Sequence, residues 1–369
     1  MFLSLIMGVC SMAGCSKLTF APTPTAMAIN TTIPTKTPLP PATLLPKPTL
    51  LPAISPSNEI ISSQNIGRLK QLDARELASK PEDFAPRRMD FTPDGHMIAA
   101  DSDTRVYVWD GTTGQQIAVF DHFYYLWHTA ISPNGKFVAA GGDAGGLKIW
   151  DVQTGEKIYT FSHAGTIWSL AFSPDSSTLA SGTLDSSVKI WNLIDGQELD
   201  HLTDIALQSL AFSPDGKILA IGTDYKIILW DVASKQLIKT LVFDLRGGEG
   251  LSGIQGILFS PDGHMIAAAN GDNIAMVWEI SSGKKLSTIN GRYTIIRENK
   301  GALAFSPDSK IIVVGNDDGD IIFWDVFANQ ELRTMTSPNC LPLDLAFWPD
   351  GNILEVGCWN GTIQFWGVP

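Results

Sequence analysis

The chain has few of the residues that usually mark catalysis or metal binding. It contains four cysteines and six histidines in 369 residues. None of them stands in a Cys-x-x-Cys or His-Glu-x-x-His spacing, so neither a metal nor a haem site is indicated. Gly-x-Ser-x-Gly and Gly-x-x-x-x-Gly-Lys-Ser/Thr are also missing, which removes the main signals of a serine hydrolase and of a phosphate-binding loop. We therefore expect no enzyme activity and no cofactor.

The chain also lacks an excess of basic residues. Lys and Arg number 26 against 38 Asp and Glu, a net charge of −12. Residues 1–58 contain three lysines and no acid, so residues 59–369 carry 23 basic and 38 acidic side chains, a net −15. An acidic domain is a poor candidate for binding a phosphate backbone. We expect no nucleic-acid partner and attribute the charge to solubility.

No apolar run is long enough to span a bilayer. The longest, at the N-terminus, covers about a dozen residues and fits the apolar region of a signal peptide. It ends in Met12-Ala13-Gly14-Cys15, which resembles a bacterial lipobox and implies lipidation of Cys15. No Lys or Arg precedes the run, unlike most signal peptides. The sequence predicts a signal peptide over 1–15 and an exported, lipid-anchored protein of the cell envelope. An incidental apolar N-terminus on a cytosolic protein is the alternative.

Proline is concentrated behind this segment. Residues 21–57 hold ten of the 22 prolines, together with many threonines. Such a composition cannot bury a core and favours polyproline II, so residues 16–58 are predicted to be a disordered linker. At about 3.1 Å per residue, the segment could hold the next domain up to about 110 Å from its anchor. The simpler alternative is that this segment is a disordered tail with no role as a spacer.

Seven tryptophans recur along the rest of the chain, each with a Pro-Asp or Pro-Asn step upstream. The offset from proline to tryptophan is 16 or 17 residues in every copy. The pairs are Pro93 and Trp109, Pro133 and Trp150, Pro174 and Trp191, Pro214 and Trp230, Pro261 and Trp278, Pro307 and Trp324, and Pro349 and Trp366. So regular a spacing indicates one structural unit copied seven times.

Each unit reads as four short strands, a to d, and no run is long enough for a helical pattern. In the third copy, strand a ends at Phe172-Ser173, strand b covers Thr178–Ser181 and strand c covers Val188–Trp191. Strand d is exemplified by Lys157–Phe161 of the preceding copy. The Pro-Asp-Gly step between a and b suits a tight turn. An all-β protein of four-stranded units is predicted.

Length varies only between strand c of one copy and strand a of the next. Two copies are enlarged there, at Phe243–Gly253 and Asn290–Lys300. The first contains a Gly-x-Gly-x-x-Gly match, but no helix follows it, so a flexible insertion is a better account than a dinucleotide site. The acidic cluster Asn316–Asp320 has carboxylates that suit Ca²⁺. It occupies a turn where aspartate is already expected, and we favour the structural interpretation.

The pattern Phe-Ser-Pro-Asp-Gly, Leu-Ala-x-Gly and Trp-Asp resembles the WD40 repeat family. The resemblance covers about residues 84–369 and implies a monomeric seven-bladed β-propeller domain over residues 59–369. Residues 60–72 look like a fourth strand without its blade, and the chain stops after a strand c. An N-terminal strand is therefore expected to complete the last blade and close the ring.

The family also has a structural tetrad of His, Ser or Thr, Asp and Trp. By position, the third copy holds it as His163, Ser181, Asp185 and Trp191. The other copies match less well, because most of them have alanine or valine at the serine position. Most blades should therefore rely less on this network.

The resemblance further implies a binding face at the mouth of the central channel. Partners of WD40 propellers often contact the residue six before each proline, near the start of strand a. These positions are Arg87, Trp127, Trp168, Gln208, Gln255, Gly301 and Leu343, with Tyr124 and Tyr125 just upstream of the first tryptophan. Aromatic and arginine side chains are the usual anchors of interfaces. Packing of the two tryptophans between blades is the alternative.

The function expected from this arrangement is a scaffold that binds a protein or peptide. The enlarged segments should rise from the same face as the two tryptophans. Two other functions remain open: a module that binds glycans or the envelope, and a propeller hydrolase or lyase with carboxylates at the channel. The residues at the seven mouth positions are mostly apolar or amide, which disfavours an enzyme.

Two cysteines remain for the propeller, since Cys10 would leave with the signal peptide. Cys340 precedes the last strand a and Cys358 ends strand b of the same blade, so both should lie on one face. A disulfide between them is plausible outside the cytoplasm. Two unrelated cysteines, one of them buried, would fit the sequence as well.

Overall fold

The computed structural model describes residues 57–369, apart from 79, 81–83, 85, 244–252, 272–273, 291–301, 317 and 338. Cys10, Cys15, almost all of the linker and most of the two enlarged segments therefore lie outside the described residues. Over the described part of the chain, no helix is long and apolar enough to cross a membrane.

The fold consists of seven antiparallel four-stranded sheets. A short 3₁₀ turn, Ile66–Arg68, precedes strand β1, Lys70–Glu76. Blade one contains β2 (Met89–Phe91), β3 (Met97–Ser102), β4 (Arg105–Asp110) and β5 (Gln116–Asp121). Blade two contains β6 (Leu126–Ile131), β7 (Phe137–Gly142), β8 (Gly146–Asp151) and β9 (Lys157–Ser162), with a 3₁₀ turn at Asp143–Gly145. Blade three contains β10 (Ile167–Phe172), β11 (Thr178–Thr183), β12 (Val188–Asn192) and β13 (Glu198–Leu202).

The remaining blades repeat the arrangement. Blade four contains β14 (Ser209–Phe212), β15 (Ile218–Gly222), β16 (Lys226–Asp231) and β17 (Gln236–Val242). Blade five contains β18 (Ile254–Phe259), β19 (Met265–Asn270), β20 (Ile274–Glu279) and β21 (Lys285–Asn290). Blade six contains β22 (Leu303–Phe305), β23 (Ile311–Gly315), β24 (Asp320–Asp325) and β25 (Gln330–Thr336). Blade seven contains β26 (Pro342–Phe347), β27 (Ile353–Cys358) and β28 (Thr362–Gly367), with β1 as its fourth strand.

The blades form a closed ring around a central channel. The first strand of every blade contacts the first strands of both neighbours, including β2 of blade one with β26 of blade seven. The expectation of an all-β, seven-bladed propeller is thus confirmed. We call the end formed by the d–a connections and b–c turns the upper face. The end formed by the a–b and c–d turns is the lower face.

The repeated Pro-Asp turn is held by one side-chain network. In blade three, Ser173 Oγ donates to Asp175 Oδ1 at 2.6 Å and accepts from the backbone N–H of Thr178 at 2.9 Å. Ser213, Ser260 and Ser306 make the same pair of bonds in blades four, five and six. The hydroxyl before the proline is therefore as much part of the turn as the proline itself, because it ties the turn to the start of strand b.

Closure by an N-terminal strand is confirmed, but its position was predicted wrongly. Strand β1 pairs with β28 from Lys70 opposite Gly367 to Glu76 opposite Thr362, whereas residues 60–72 were expected. Most of the apolar residues that suggested a strand have another role. Ile61, Ile66 and Leu69 are buried in a core cluster with Val368. They pack into the core between blades six and seven before the ladder begins.

The core lies between successive sheets. Between blades seven and one, Phe84, Trp109 and Phe365 belong to one buried cluster, and each further blade boundary has its counterpart. Trp109 is fully buried and stacks on Tyr107 with ring centroids 5.6 Å apart. The repeated tryptophans therefore act in packing, as their spacing suggested.

Candidate functional site

Four of the seven binding positions predicted near the start of strand a coincide with β-bulges. In blade two, Leu126 pairs with Gly142 and His128 with Gly141, so Trp127 has no partner across the ladder. The same skip occurs at Trp168, Gln255 and Leu343. A bulge leaves one residue outside the pairing and redirects its side chain. The backbone thus sets these positions apart from the rest of the strand.

Four of the side chains near the upper channel mouth meet in one cluster. The Arg87 guanidinium lies 4.2 Å from the Tyr125 ring centroid and 4.6 Å from that of Trp127, and its Nη2 donates to the Tyr125 hydroxyl. Trp127 and Trp168 lie side by side, with ring centroids 5.3 Å apart. We call Arg87, Tyr125, Trp127 and Trp168 the upper aromatic cluster. All four are half-buried, so they present an edge to solvent while packing across blades one to three.

Buried polar contacts fix the cluster from below. Trp127 Nε1 donates to Asp143 Oδ1 at 2.7 Å, and Arg88 Nε donates to the Trp127 carbonyl at 3.1 Å. The backbone N–H groups of Arg87 and Arg88 both donate to Asp101 Oδ1, at 3.2 and 3.0 Å. Burial raises the pKa of Asp101 to about 6, although these two donors and the arginine charges oppose the shift. The cluster is therefore preorganised, which limits the entropy lost on binding.

The other predicted positions differ in their surroundings. Gln208 is half-buried and donates from Nε2 to Asp224 Oδ1 at 3.1 Å. Gln255 is also half-buried, and Tyr124 is exposed above His122. Leu343 is 5% exposed and packs into the core between blades seven and one, and it also lines a cavity in the channel. Gly301 lies outside the described residues.

Several apolar side chains that widen the upper surface were not predicted from the sequence. Phe123 is 85% exposed and lies under the Lys148 ammonium, 4.1 Å from the ring centroid. Tyr225 is 55% exposed in the b–c turn of blade four, and Leu184 is exposed in that of blade three. These residues stand in loops, where no periodic pattern separates an exposed aromatic side chain from a buried one. Together with the upper aromatic cluster, they spread apolar surface over blades two to four.

The channel itself contains charged groups. A cavity of about 150 Å³ is lined by Arg87, Arg88, Asp90 and Asp344, together with apolar residues of blades five to seven. The seven mouth positions had suggested a lining that is mostly apolar or amide, but the neighbouring residues add charges of both signs. Asp90 Oδ2 accepts from the backbone N–H of Ile131 at 2.8 Å, which links blades one and two. Within the described ranges, no group of three or more His, Cys, Asp or Glu residues could hold a metal ion.

The tetrad residues of blade three adjoin one another, but not in one continuous chain of direct bonds. Ser181 Oγ lies 2.7 Å from both Trp191 Nε1, which donates to it, and His163 Nε2. Asp185 instead accepts from the hydroxyls of Thr183 and Ser187. Burial lowers the pKa of His163 to about 4, so the imidazole is neutral at pH 7. Its position and charge state indicate a structural role.

Cys340 and Cys358 are joined by a disulfide in the structure, with Cα atoms 5.0 Å apart. Both side chains are buried in the cluster that also holds Ile61 and Val368. The bond therefore staples strand b of blade seven to the connection entering the same blade, close to where β1 closes the ring. Whether it forms in the cell depends on the compartment, which stays a prediction.

Comparison with known proteins agrees with this architecture. The chain matches the family described as WD domain, G-beta repeat, over residues 83–110, 114–151, 155–192, 197–231, 239–279 and 283–325. These six matches cover more than half of the chain, which therefore belongs to the WD40 repeat family. They leave out blade seven, the blade built from both ends of the propeller. No curated protein matches the chain. Propellers of this family are commonly protein-interaction scaffolds and typically not enzymes.

Proposed function

We propose that the protein is a non-catalytic scaffold that captures a protein or peptide partner on its upper face. The observation that supports this most directly is the upper aromatic cluster. It combines two tryptophans, a tyrosine and an arginine, the residue types that dominate binding energy at interfaces. The cluster is braced by buried Asp101 and by Asp143, so it holds its geometry without a partner.

The exposed apolar side chains beside the cluster support the same face. Phe123, Leu184 and Tyr225 extend the surface across blades two to four. Several b–c turns of this face end in carboxylates, among them the exposed Asp103, Asp185 and Asp318. A partner segment with aromatic or aliphatic anchors and some positive charge would complement both features.

Export and lipid anchoring belong to the same proposal. The lipobox-like Met12–Cys15 and the proline-rich segment behind it support a tethered envelope protein, and the disulfide of blade seven is compatible with an oxidising compartment. Incorporation of a radioactive fatty acid in bacterial cells, compared between the full chain and Cys15→Ala, tests the anchor. Equal labelling of the two proteins would contradict it.

The binding face is tested with Trp127→Ala/Trp168→Ala in the full chain. Trp359→Ala is the matched control, because Trp359 is 47% exposed on the upper face of blade seven, away from the cluster. Proteins captured from envelope extract are quantified by mass spectrometry for all three chains. Loss of two hot-spot side chains should reduce capture of the genuine partner at least about tenfold, since each contributes about 2 kcal/mol or more. The control should retain it.

Two outcomes would overturn the proposal. Equal capture by the double variant, with unchanged thermal unfolding, would place binding elsewhere. Tryptophan-dependent binding on a glycan array, with no protein captured, would favour the carbohydrate-binding alternative. The charged residues that line the channel cavity give the enzyme alternative a place in the structure. Its test is hydrolase or lyase activity that depends on Asp90 or Asp344.

A further inference from the structure

The lower face has an apolar cleft that the proposed function does not use. It has a volume of about 420 Å³ and lies where the first strands of blades five, six and seven end. Its walls are the prolines of four a–b turns and the aromatic and aliphatic residues before them: Pro93, Pro261, Pro307, Pro349, Phe347 and Trp348, among others. A cleft of this size and apolar lining suits a ligand that buries a few side chains.

The described chain begins on the same face. Ser57 Oγ donates to the Val368 carbonyl at 2.7 Å, and the backbone N–H of Ile61 donates to the Gly351 carbonyl at 2.8 Å. A Cβ added at Gly351 would lie 3.1 Å from Ile60 Cγ2 and 3.3 Å from Pro307 Cγ. Residues 57–61 therefore run along the lower face of blade seven and pass the turn that contains Pro349 of the cleft wall.

The residues immediately before Ser57 have the composition of a ligand for such a cleft. Residues 44–56 lie outside the described residues and read Leu-Leu-Pro-Lys-Pro-Thr-Leu-Leu-Pro-Ala-Ile-Ser-Pro. Four prolines favour a polyproline II conformation, which loses little entropy on docking into an apolar groove. Thirteen residues span about 40 Å at about 3.1 Å each, and both Ser57 and the cleft lie on the lower face.

Charge is complementary as well. The segment carries one charged residue, Lys47, and no acid. Each proline of the cleft wall is followed by an aspartate that is exposed at its rim: Asp94, Asp262, Asp308 and Asp350. A lysine flanked by prolines can reach this rim while its neighbouring leucines enter the cleft.

We propose that the lower cleft binds residues 44–56 of the same chain as an intramolecular ligand. Because the segment is tethered, its effective concentration is in the millimolar range, so a millimolar intrinsic Kd suffices for half occupancy. Burial of two leucine side chains in the apolar cleft would favour docking. The docked segment covers the lower face and leaves the upper face open.

Thiol cross-linking in the full chain tests the docking. In a Cys10→Ser/Cys15→Ser background, Leu51→Cys is combined with Pro349→Cys in the cleft wall. The control pairs Leu51→Cys with Phe327→Cys, which is 66% exposed on the lower face of blade six, outside the cleft. Blade six is close to the N-terminal segment, since Arg333 Nη1 of its outer strand donates to the Ile66 carbonyl at 2.6 Å. A short bis-maleimide avoids exchange with the native disulfide.

Docking predicts intramolecular cross-linking at least fivefold faster for the cleft pair than for the control pair. Adding Leu50→Asp should remove that advantage without affecting the propeller, because residue 50 precedes the described fold. Pro261→Cys serves as a second cleft position if Pro349→Cys misfolds. Equal rates for the cleft and control pairs would overturn the proposal. So would cross-links that join two chains and increase with concentration, which would make a second copy the occupant. Protection of the cleft cysteine that requires added envelope extract would assign the cleft to an outside partner.

Discussion

Glu355 should make the stability of the propeller depend on pH. Its side chain is fully buried in β27; Oε2 accepts from Trp348 Nε1 at 3.4 Å, while Oε1 has no hydrogen-bond partner among the residues that the structure describes. Burial raises the pKa of this carboxyl to about 8; the nearby Asp344 charge adds to the shift, and Trp348 and Arg75 oppose it. The folded protein therefore holds a proton on Glu355 at neutral pH, whereas the unfolded chain releases it near the ordinary value of 4.5.

The sign and size of the effect follow from proton linkage. Between pH 4.5 and about 8 the folded state binds more protons than the unfolded state, so stability falls as the pH rises. The full slope is about 1.4 kcal/mol per pH unit. Raising the pH from about 5.5 to about 7.5 should therefore cost the wild type about 3 kcal/mol through this group.

The substitution Glu355→Gln removes the titrating group and keeps its shape. Chemical denaturation at three pH values across that range should show the wild type losing about 3 kcal/mol more than the variant. Asp101 and His163 also have shifted pKa values, but they are present in both proteins and cancel in the difference. Glu156→Gln, at an exposed position, is the control and should follow the wild type. Parallel pH profiles for the wild type and Glu355→Gln would refute the assignment of a neutral, buried carboxyl.

Three further changes test the fold around the site. Replacing Cys340 and Cys358 with serine should lower stability by about 2–4 kcal/mol in oxidising buffer, measured by denaturant unfolding, with a smaller difference from the wild type under reductant. Ser181→Ala should cost about 1–3 kcal/mol, because a buried indole N–H and imidazole lose their partner; a loss below about 0.5 kcal/mol would show that water replaces the hydroxyl. Gly142→Ala would place a Cβ 1.8 Å from the Tyr125 carbonyl oxygen. This substitution should both destabilise blade two and weaken partner capture. Capture at wild-type strength would show that the upper aromatic cluster does not depend on the close contact between Gly142 and the Tyr125 carbonyl.

Much of the scaffold could be predicted because its signals are local. The Pro-Asp turn and the tryptophan mark the same a–b–c core in every copy, and strands β10 to β12 begin within the expected segments. The closing strand was misplaced because Ile61, Ile66 and Leu69 have the apolar character of a strand. In the structure these residues instead pack into the core between blades six and seven. The apolar pattern of one segment does not distinguish a strand from a segment that packs in this way.

The candidate site was only partly predictable, for a related reason. Counting back from the proline located Trp127 and Trp168, because strand a of blades two and three has its bulge at the same distance from the proline. The same offset from the proline gives Leu343, which packs into the core. The offset predicts the position along the strand, but the exposure of the side chain depends on the neighbouring blade. Contacts across blades, such as the Arg87 guanidinium over the Tyr125 ring, join residues 38 positions apart. Such contacts form only when the blades are assembled in the propeller, so a local sequence pattern does not predict them.

The pairing of β1 with β28 also determines how the domain would carry a mechanical load. The strand enters from the lower face, at Lys70, and runs along β28 to Glu76. Tension applied at Ser57 and directed away from the lower face acts along the strand axis. All hydrogen bonds of that ladder are then sheared together and cannot open one by one from the end. Blade seven, which also contains the disulfide, would therefore resist this tension. Separating β1 from β28 would require all hydrogen bonds of the ladder to break at once.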